Sequence, residues 1–257
     1  DSAVLAEAIN LPHLADDDIR TILHTLLRGK DPSDKLIETI VQRAEGVVVF
    51  ATEFARLSAT ASTQPGEISV PATLQEVLLA RIDALGPNKF VALSAACIGR
   101  EFSHSVLSDI LQIDQADLSH ALAAMEKAAI IRKAGDGMFS FGHGLVRNMA
   151  YDMQLRKIRQ ATHAKIAPIL DADPSTQDTE VVARHFELAH MYRDAAFKWQ
   201  IVAERQISLG GYREAIAALD QARQCLHELA EAPELHRLEL KILSAYGASL
   251  IAIRPQA

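Results

Sequence analysis

The chain has 257 residues, of which 49% are hydrophobic and 23% are charged, the composition of an ordinary globular protein with a core for one or two domains. Its formal net charge of −7 argues against a general nucleic-acid binder, whose surface should be basic. No stretch of about 18 uncharged apolar residues is present, so no membrane-spanning helix is predicted. The two cysteines, Cys97 and Cys225, lie far apart in apolar helical patterns, which favours a reducing compartment and a cytoplasmic location.

The chain lacks the sequence motifs of common enzyme classes. It has no G-x-x-x-x-G-K-[ST] phosphate loop, no G-x-G-x-x-G and no G-x-S-x-G. His185 and His190 are spaced i, i+5, so they lie on different faces of a helix and lack the i, i+4 spacing of a zinc helix. We therefore expect no metal site, no catalytic residue and no cofactor in this chain taken alone. The helical pattern is under way at the first residues and is interrupted at the last, so we expect a piece of a longer protein.

The first third predicts a helical subdomain over residues 1–85. Asp31-Pro32 marks the start of a helix that runs to Ala44, and after Gly46 another apolar-faced helix is predicted through Leu57. Residues 59–70 indicate a loop, and a capping box at 73–76 begins a helix that ends at Gly86. An earlier helix is indicated by an apolar stripe at helical spacing, formed by Ile19, Ile22, Leu23, Leu26 and Leu27.

Residues 86–165 are predicted to form a winged-helix domain. Three helices are expected, at about 87–98, 104–112 and 115–128. The apolar period then changes to two over 130–133 and 138–141, and the glycine-bearing segment between them predicts a β-hairpin. Three helices followed by a hairpin are the element order of a winged helix. No other strand is predicted in the chain.

A winged helix raises the question of DNA binding, against which the charge of its third helix argues. Residues 115–127 would enter the major groove, but they carry two acids, one lysine and no arginine. A later stretch is basic and leaves two interpretations open, a solvated helix face or a surface that docks another domain of the same protein. Its residues are Arg147, Arg156, Lys157, Arg159 and Lys165.

Residues 166–257 are predicted to form tetratricopeptide-like helical repeats. Helices joined by very short turns are antiparallel neighbours, and four are expected, at about 180–191, 193–208, 211–229 and 233–252. The segment 211–216 with Leu219 and Ala222 places small and large residues as a tetratricopeptide helix does. The predicted fold class is mainly α: a helical subdomain, a winged helix with one β-hairpin, and a truncated α-solenoid.

Five segments carry, in chain order, motifs that occur together in one family. Residues 43–53 (Arg-Ala-Glu-Gly-Val-Val-Val-Phe-Ala-Thr-Glu) are similar to R-A-x-G-N-P-L-F followed by a glutamate, and residues 71–85 to P-x-S-L … A-R-[IL]-D-x-L. Residues 95–102 are similar to A-A-V-I-G-R-x-F, residues 139–151 to F-x-F-x-H-x-L-[IV]-R-x-x-A-Y, and His163 stands at the histidine of R-x-x-x-H. Over essentially its whole length the chain thus resembles the regulatory half of STAND-type signalling ATPases of the wider AAA+ superfamily. The greatest similarity is to large bacterial ATPases with tetratricopeptide tails, often fused to class III adenylate or guanylate cyclase domains.

The resemblance implies a role in a nucleotide switch. Residues 1–85 would be the lid subdomain of an NTPase whose P-loop core lies outside this chain and binds ATP or ADP. His143, which follows the second hairpin strand, would contact the ADP β-phosphate and hold the inactive state, while Gly46 and Val48 stand in the lid segment that approaches the nucleotide. The implied partners are that P-loop domain and an unknown protein bound by the repeats, with no membrane. A second interpretation of His143 is a bond to a backbone group where strand and helix meet.

Two departures from the family pattern leave other functions open. The Asn-Pro of the lid motif is Val47-Val48 here, and Gly144 replaces the usual small or acidic residue after the histidine. One alternative is a segment of a large ATP-dependent transcriptional activator whose DNA-binding domain lies outside this chain. Another is a helical scaffold with a decayed ATPase. Whether the full-length protein is an ATPase, or carries a cyclase, stays open at this point.

Overall fold

The computed structural model describes residues 14–27, 34–44, 48, 51–52, 55, 74–173, 178–229 and 233–252. These residues are mainly α-helical with one three-stranded sheet, so the predicted fold class is confirmed. No helix in the described ranges is long and apolar enough to cross a membrane. Contacts divide the chain into two compact units, residues 1–86 and 87–257, and each is described by itself.

The first unit contains helices α1 (Asp16–Leu26), α2 (Asp34–Ala44) and α3 (Leu74–Asp83). Ile19, Leu23 and Leu27 of the apolar stripe predicted for α1 pack against α2, whereas Leu26, predicted on the same stripe, is 44% exposed. The guanidinium of Arg20 reaches from α1 to Glu38 on α2. The loop at 59–70, Thr73 of the capping box and most of the helix predicted through Leu57 lie outside the described residues. One apolar cluster of this unit consists of Ile19, Leu23, Leu27, Ile37, Ile40, Val41, Ala44, Ala51 and Ala55. Leu78, Ile82 and Leu85 are also buried.

A 3-10 turn (Gly86–Asn88) leads into the second unit, which begins with the helix–strand series of a winged helix. The elements that follow are α4 (Lys89–Ile98), β1 (Glu101–Ser103), α5 (His104–Leu111), α6 (Gln115–Lys127), β2 (Ile131–Gly135) and β3 (Met138–Phe141). The three helices lie where they were predicted. The expectation of one hairpin was wrong in one respect, because β1 adds a third strand and the sheet order is β1-β3-β2, antiparallel throughout.

Strand β1 joins the sheet through aromatic packing. Phe102 pairs with Phe139 on β3, and its ring centre lies 5.8 Å from those of Phe139 and Phe141. Directly after the strand, the hydroxyl of Ser103 accepts a hydrogen bond from the Val106 N–H and caps α5. At the tip of the hairpin Gly137 has a φ of +65°, which an L side chain rarely adopts. A strand of three residues followed at once by a helix is too short to show the alternation of apolar and polar residues by which strands are predicted from sequence.

After the sheet come α7 (Gly144–Asp152) and α8 (Arg156–Ala172), separated by a break that the sequence does not predict. Gln154 lies in the break and is 7% exposed. Its amide nitrogen donates to the Leu93 carbonyl at 2.8 Å and to the Cys97 sulfur at 3.2 Å, so the chain turns here to reach α4. Helix α8 then runs through the domain boundary predicted at 165/166, and that boundary stays a prediction.

The last part of the unit is a series of four helices, α9 (Thr179–Leu188), α10 (Tyr192–Ser208), α11 (Tyr212–His227) and α12 (Pro233–Ala252), close to the predicted positions. Trp199 is the largest side chain in their shared core, which is otherwise rich in alanine. Small side chains allow close approach of the helix axes, as expected for stacked helical repeats. The alanines of this core include Ala183, Ala195, Ala196, Ala203, Ala215, Ala218 and Ala222.

Candidate functional site

His143 is the first candidate residue, and it lies directly before α7 as its N-cap. Its Nδ1 accepts a hydrogen bond from the Leu145 N–H at 3.2 Å, so the backbone-bonding interpretation describes a contact that is present. An imidazole nitrogen that accepts carries no proton, and in the neutral ring the proton therefore lies on Nε2. The side chain is half-buried. His143 thus keeps one N–H donor, which fits contact with an anion such as a phosphate.

The other two candidate residues, Gly46 and Val48, belong to the predicted lid segment. Gly46 lies outside the described residues. Val48 is helical and half-buried, and it packs against the apolar core of α1 and α2. That apolar contact with its own subdomain fits a structural role better than contact with an adenine ring.

Two arginines of the basic stretch contact Tyr151, near the end of α7. The guanidinium carbons of Arg147 and Arg159 lie 4.9 and 4.7 Å from the centre of the Tyr151 ring, within the range of cation–π contacts. Arg159 also donates to the Tyr151 carbonyl at 3.3 Å and pairs with Asp152 at 3.4 Å. Part of the stretch is therefore built into the fold, whereas Arg156 and Lys157 are exposed on the first turn of α8.

Tyr151 is the first member of a hydrogen-bonded chain that crosses three helices. Its hydroxyl lies 3.0 Å from Nε2 of His163 on α8, and Nδ1 of His163 lies 2.9 Å from Nδ1 of His185 on α9. The two histidines are 2% and 5% exposed. We call these three residues the tyrosine–histidine relay. Because α7 follows the sheet and α9 begins the repeats, the relay joins the winged helix to the repeats.

The two facing Nδ1 atoms of the relay share one proton, because neither two N–H donors nor two lone pairs can form a hydrogen bond. One histidine therefore donates through Nδ1 and the other accepts. If His163 donates there, its Nε2 accepts from the Tyr151 hydroxyl, and if His163 accepts there, its Nε2–H donates to that hydroxyl. Both arrangements satisfy the two hydrogen bonds with neutral rings.

Burial keeps the relay neutral. It is the main cause that lowers the pKa of His163 to about 3, followed by His185, Arg147 and Arg159. Burial is also the main cause that lowers the pKa of His185 to about 4. Both histidines are therefore neutral at physiological pH, each with one ring N–H, which fits a structural joint better than a sensor of physiological pH.

Beside the relay a cleft of about 430 Å³ opens between α7, α8 and the repeats. Arg156 and Arg159 stand on the α8 wall, and Glu187 and Glu228 stand on the wall formed by α9 and the end of α11. Burial, followed by the carboxylates of Glu187 and Glu228, raises the pKa of the Cys225 thiol to about 12. The thiol stays protonated and is not a nucleophile at neutral pH. We call this space the joint cleft.

His185 and His190 have separate roles in the structure. His185 belongs to the relay, whereas His190 has a φ of +60° and stacks on Tyr192, with 5.3 Å between the ring centres. Within the described ranges no group of three or more His, Cys, Asp or Glu residues could hold a metal ion.

The sequence identified His143 and His163 but not the relay or the cleft. Tyr151 lies within a motif, yet its spacing gives no sign of a hydrogen-bond partner. His163 and His185 are 22 residues apart on two helices, and only the packing of α8 against α9 brings them together. A buried polar residue among apolar neighbours is the one sequence signal that could have drawn attention to His185.

Comparisons with known proteins give distant similarities. No family model matches the chain. An uncharacterized protein of Rhizobium meliloti (strain 1021) is 26% identical over 197 residues, which cover 74% of this chain and 19% of that protein. The chain thus spans about a fifth of the length of this relative. A crystal structure of a Signal Transduction ATPase with Numerous Domains (STAND) protein with a tetratricopeptide repeat sensor, from Pyrococcus horikoshii, aligns with a TM-score of 0.47 and 12% identity over 95% of this chain and 41% of that one.

Proposed function

We propose that this chain is the regulatory and protein-interaction segment of a multidomain signalling ATPase of the STAND kind. The observation that carries the proposal is His143, whose Nδ1 is fixed by the Leu145 N–H so that Nε2 presents a donor beside the first turn of α7. An N–H donor next to a helix N-terminus suits a phosphate oxygen. ATP or ADP would be the cofactor of the intact protein, bound by a P-loop domain outside this chain.

The winged helix would transmit the nucleotide state by packing on that domain. His143 would add one hydrogen bond to the ADP-bound state that the ATP-bound state lacks. A difference of about 1.4 kcal/mol changes an equilibrium tenfold, so a few such contacts are enough for a switch. The relay would carry a movement of the winged helix to the first repeat, because Tyr151 and His163 are held in one hydrogen-bonded chain with His185.

The repeats would bind a protein partner. Helix α12 buries Ile242 and Ser249 but leaves large apolar side chains on its other faces exposed. Exposed apolar groups that recur along one helix are typical of a surface that another protein or helix covers. They are Leu240, Leu243, Leu250 and Ile251.

One observation favours the alternative of a helical scaffold with a decayed ATPase. Val48 stands in place of a proline of the lid motif and packs into the apolar core of its own subdomain. If its side chain does not contact a nucleotide, the lid has lost one of its expected contacts. The alternative predicts that the full-length protein binds neither ATP nor ADP.

The test is the rate of ADP release from the full-length protein, measured with a fluorescent ADP analogue. We expect His143→Ala and His143→Asn both to release ADP about tenfold faster, the effect of one lost charge-assisted bond. Asparagine can still cap α7, so only alanine should also lower stability, by about 1 kcal/mol. An unchanged release rate in both variants would overturn the role of His143. Absence of nucleotide binding by the wild-type protein would overturn the switch and leave the scaffold.

A further inference from the structure

The joint cleft presents opposite charges on its two walls. Arg159 is fixed in place by its contacts with Tyr151 and Asp152, and Arg156 stands one turn earlier on the same helix. Across the cleft, one carboxylate oxygen of Glu187 accepts from the Trp199 indole N–H at 3.1 Å, which leaves its other oxygen for a further donor. Glu228 stands beyond it at the end of α11.

The two walls are not paired with each other. Among the residues that the structure describes, none forms an ion pair or side-chain hydrogen bond with Arg156 or with Glu228. Arg156 and Glu228 nevertheless both affect the pKa of the Tyr192 phenol. Burial and then Glu228 raise this pKa, whereas Arg156 lowers it. The Tyr192 side chain therefore lies in the field of both walls. Opposite charges that face one open space without pairing leave room for a ligand that pairs with each.

The remaining lining of the cleft suits the middle of such a ligand. Tyr151 and the stacked pair of His190 and Tyr192 supply aromatic surface. The amide nitrogen of Gln160 donates to the Ala189 carbonyl at 3.3 Å, so its amide oxygen is left as an acceptor beside the cleft. A volume of about 430 Å³ is within the range of small-molecule sites and is too small for a folded partner.

We propose that the joint cleft binds a small zwitterion, an amino acid or a dipeptide. Its carboxylate would lie on Arg156 and Arg159, its ammonium group on Glu187 and Glu228, and its apolar part on Tyr151 and Tyr192. An anion would leave the two carboxylates facing it, and a cation would leave the two guanidinium groups facing it. A zwitterion satisfies both walls, and arginine forms bidentate bonds with a carboxylate.

The ligand would stabilise one arrangement of the joint, because it would touch α8 on one side and α9, α10 and α11 on the other. This inference goes beyond the proposed nucleotide switch and does not depend on it, since the cleft is formed entirely by residues of this chain. A negative result for the zwitterion site would therefore not contradict the nucleotide switch, and a negative result for the switch would not contradict the site.

The experiment uses the whole 257-residue chain. The twenty amino acids and the twenty Ala-Xaa dipeptides are tested by saturation-transfer NMR, and the best binder is titrated by calorimetry. We expect at least one to bind with a Kd below about 10 mM, and its N-acetyl and C-amide forms each to bind at least about tenfold more weakly. The proposal is overturned if no zwitterion binds in that range, or if a blocked form binds as well as the free one.

Two exposed residues allow variants that do not threaten the fold. Arg156→Gln and Glu228→Gln should each weaken binding by about tenfold, the effect of one lost ionic contact. Arg213→Gln, an exposed arginine of α11 outside the lining, is the matched control and should bind as the wild type does.

The blocked ligands then assign each wall. The C-amide form should be insensitive to Arg156→Gln, and the N-acetyl form insensitive to Glu228→Gln. The opposite pairing would place like charges together and would overturn the proposed site. Unchanged binding of the free zwitterion to both variants would overturn the site.

Discussion

Nδ1 of His163 lies 2.9 Å from Nδ1 of His185, so only one of these two nitrogens carries a proton. If both did, two donors would face each other in a buried space. The hydrogen bond therefore requires at least one neutral ring, and burial favours two. Because His163 belongs to α8 and His185 to α9, protonation of both rings would break this hydrogen bond between the two helices.

The variant Tyr151→Phe tests the hydrogen bond between Tyr151 and His163 in the relay. The change removes one hydroxyl and leaves Nε2 of His163 buried without its hydrogen-bond partner, which should lower the free energy of unfolding by about 1 to 3 kcal/mol. The ring and its contacts with Arg147 and Arg159 are kept. Chemical denaturation monitored by circular dichroism measures the difference. The matched control is Tyr246→Phe, which keeps the contact of its ring with Arg223 and should change stability by less than about 0.5 kcal/mol. Equal effects of the two changes would contradict the relay.

The relay also makes stability depend on pH in the acidic range. In the unfolded chain a histidine has a pKa of about 6.5, whereas in the fold the pKa is about 3 for His163 and about 4 for His185. At pH values between the folded and the unfolded pKa, the folded state therefore binds fewer protons than the unfolded state. The stabilisation is present in full above about pH 6.5 and is lost progressively as the pH falls towards 4.

The size of this pH dependence follows from the number of protons that bind on unfolding. Each histidine contributes a slope of at most about 1.4 kcal/mol per pH unit, so the pair contributes at most about 2.7. Urea denaturation at several pH values between 6.5 and 5 gives the slope, and the variant His185→Asn should reduce it by about half. The exposed His120 provides the control, because His120→Asn should leave the slope unchanged. A wild-type slope near zero would mean that the two histidines are protonated in the fold.

Phe102→Ala tests the third strand. Phe102 is 1% exposed and its ring contacts those of Phe139 and Phe141, so its removal should cost about 3 to 5 kcal/mol. Thermal or chemical unfolding measures this loss. Phe90 is 47% exposed, and Phe90→Ala should cost less than about 1 kcal/mol. If Phe102→Ala were as mild as Phe90→Ala, β1 would not be part of the core.

Much of the fold could be predicted because it depends on local patterns. The apolar stripe of α1, the change to a period of two at 130–141 and the small residues of α11 all appear in the sequence at their structural spacing. Strand β1 and the break in the helices at Gln154 could not be predicted from the sequence. β1 is too short to show a period, and the break depends on bonds from Gln154 to Leu93 and Cys97 on a distant helix.

The candidate site divides in the same way. His143 was identified from a motif, and its hydrogen bond to the Leu145 N–H involves a residue only two positions away. The relay joins residues 12 and 22 positions apart, and the joint cleft takes its walls from five helices.

The sequence by itself determined where most of the helices and the hairpin lie, because these depend on neighbours within a few positions. Only the tertiary structure decided that Tyr151, His163 and His185 form one chain of hydrogen bonds and that arginines face glutamates across an open cleft. Side-chain polarity is fixed locally, but the partner of a buried polar group is set by which helices pack together, and that depends on the burial of apolar surface over the whole unit.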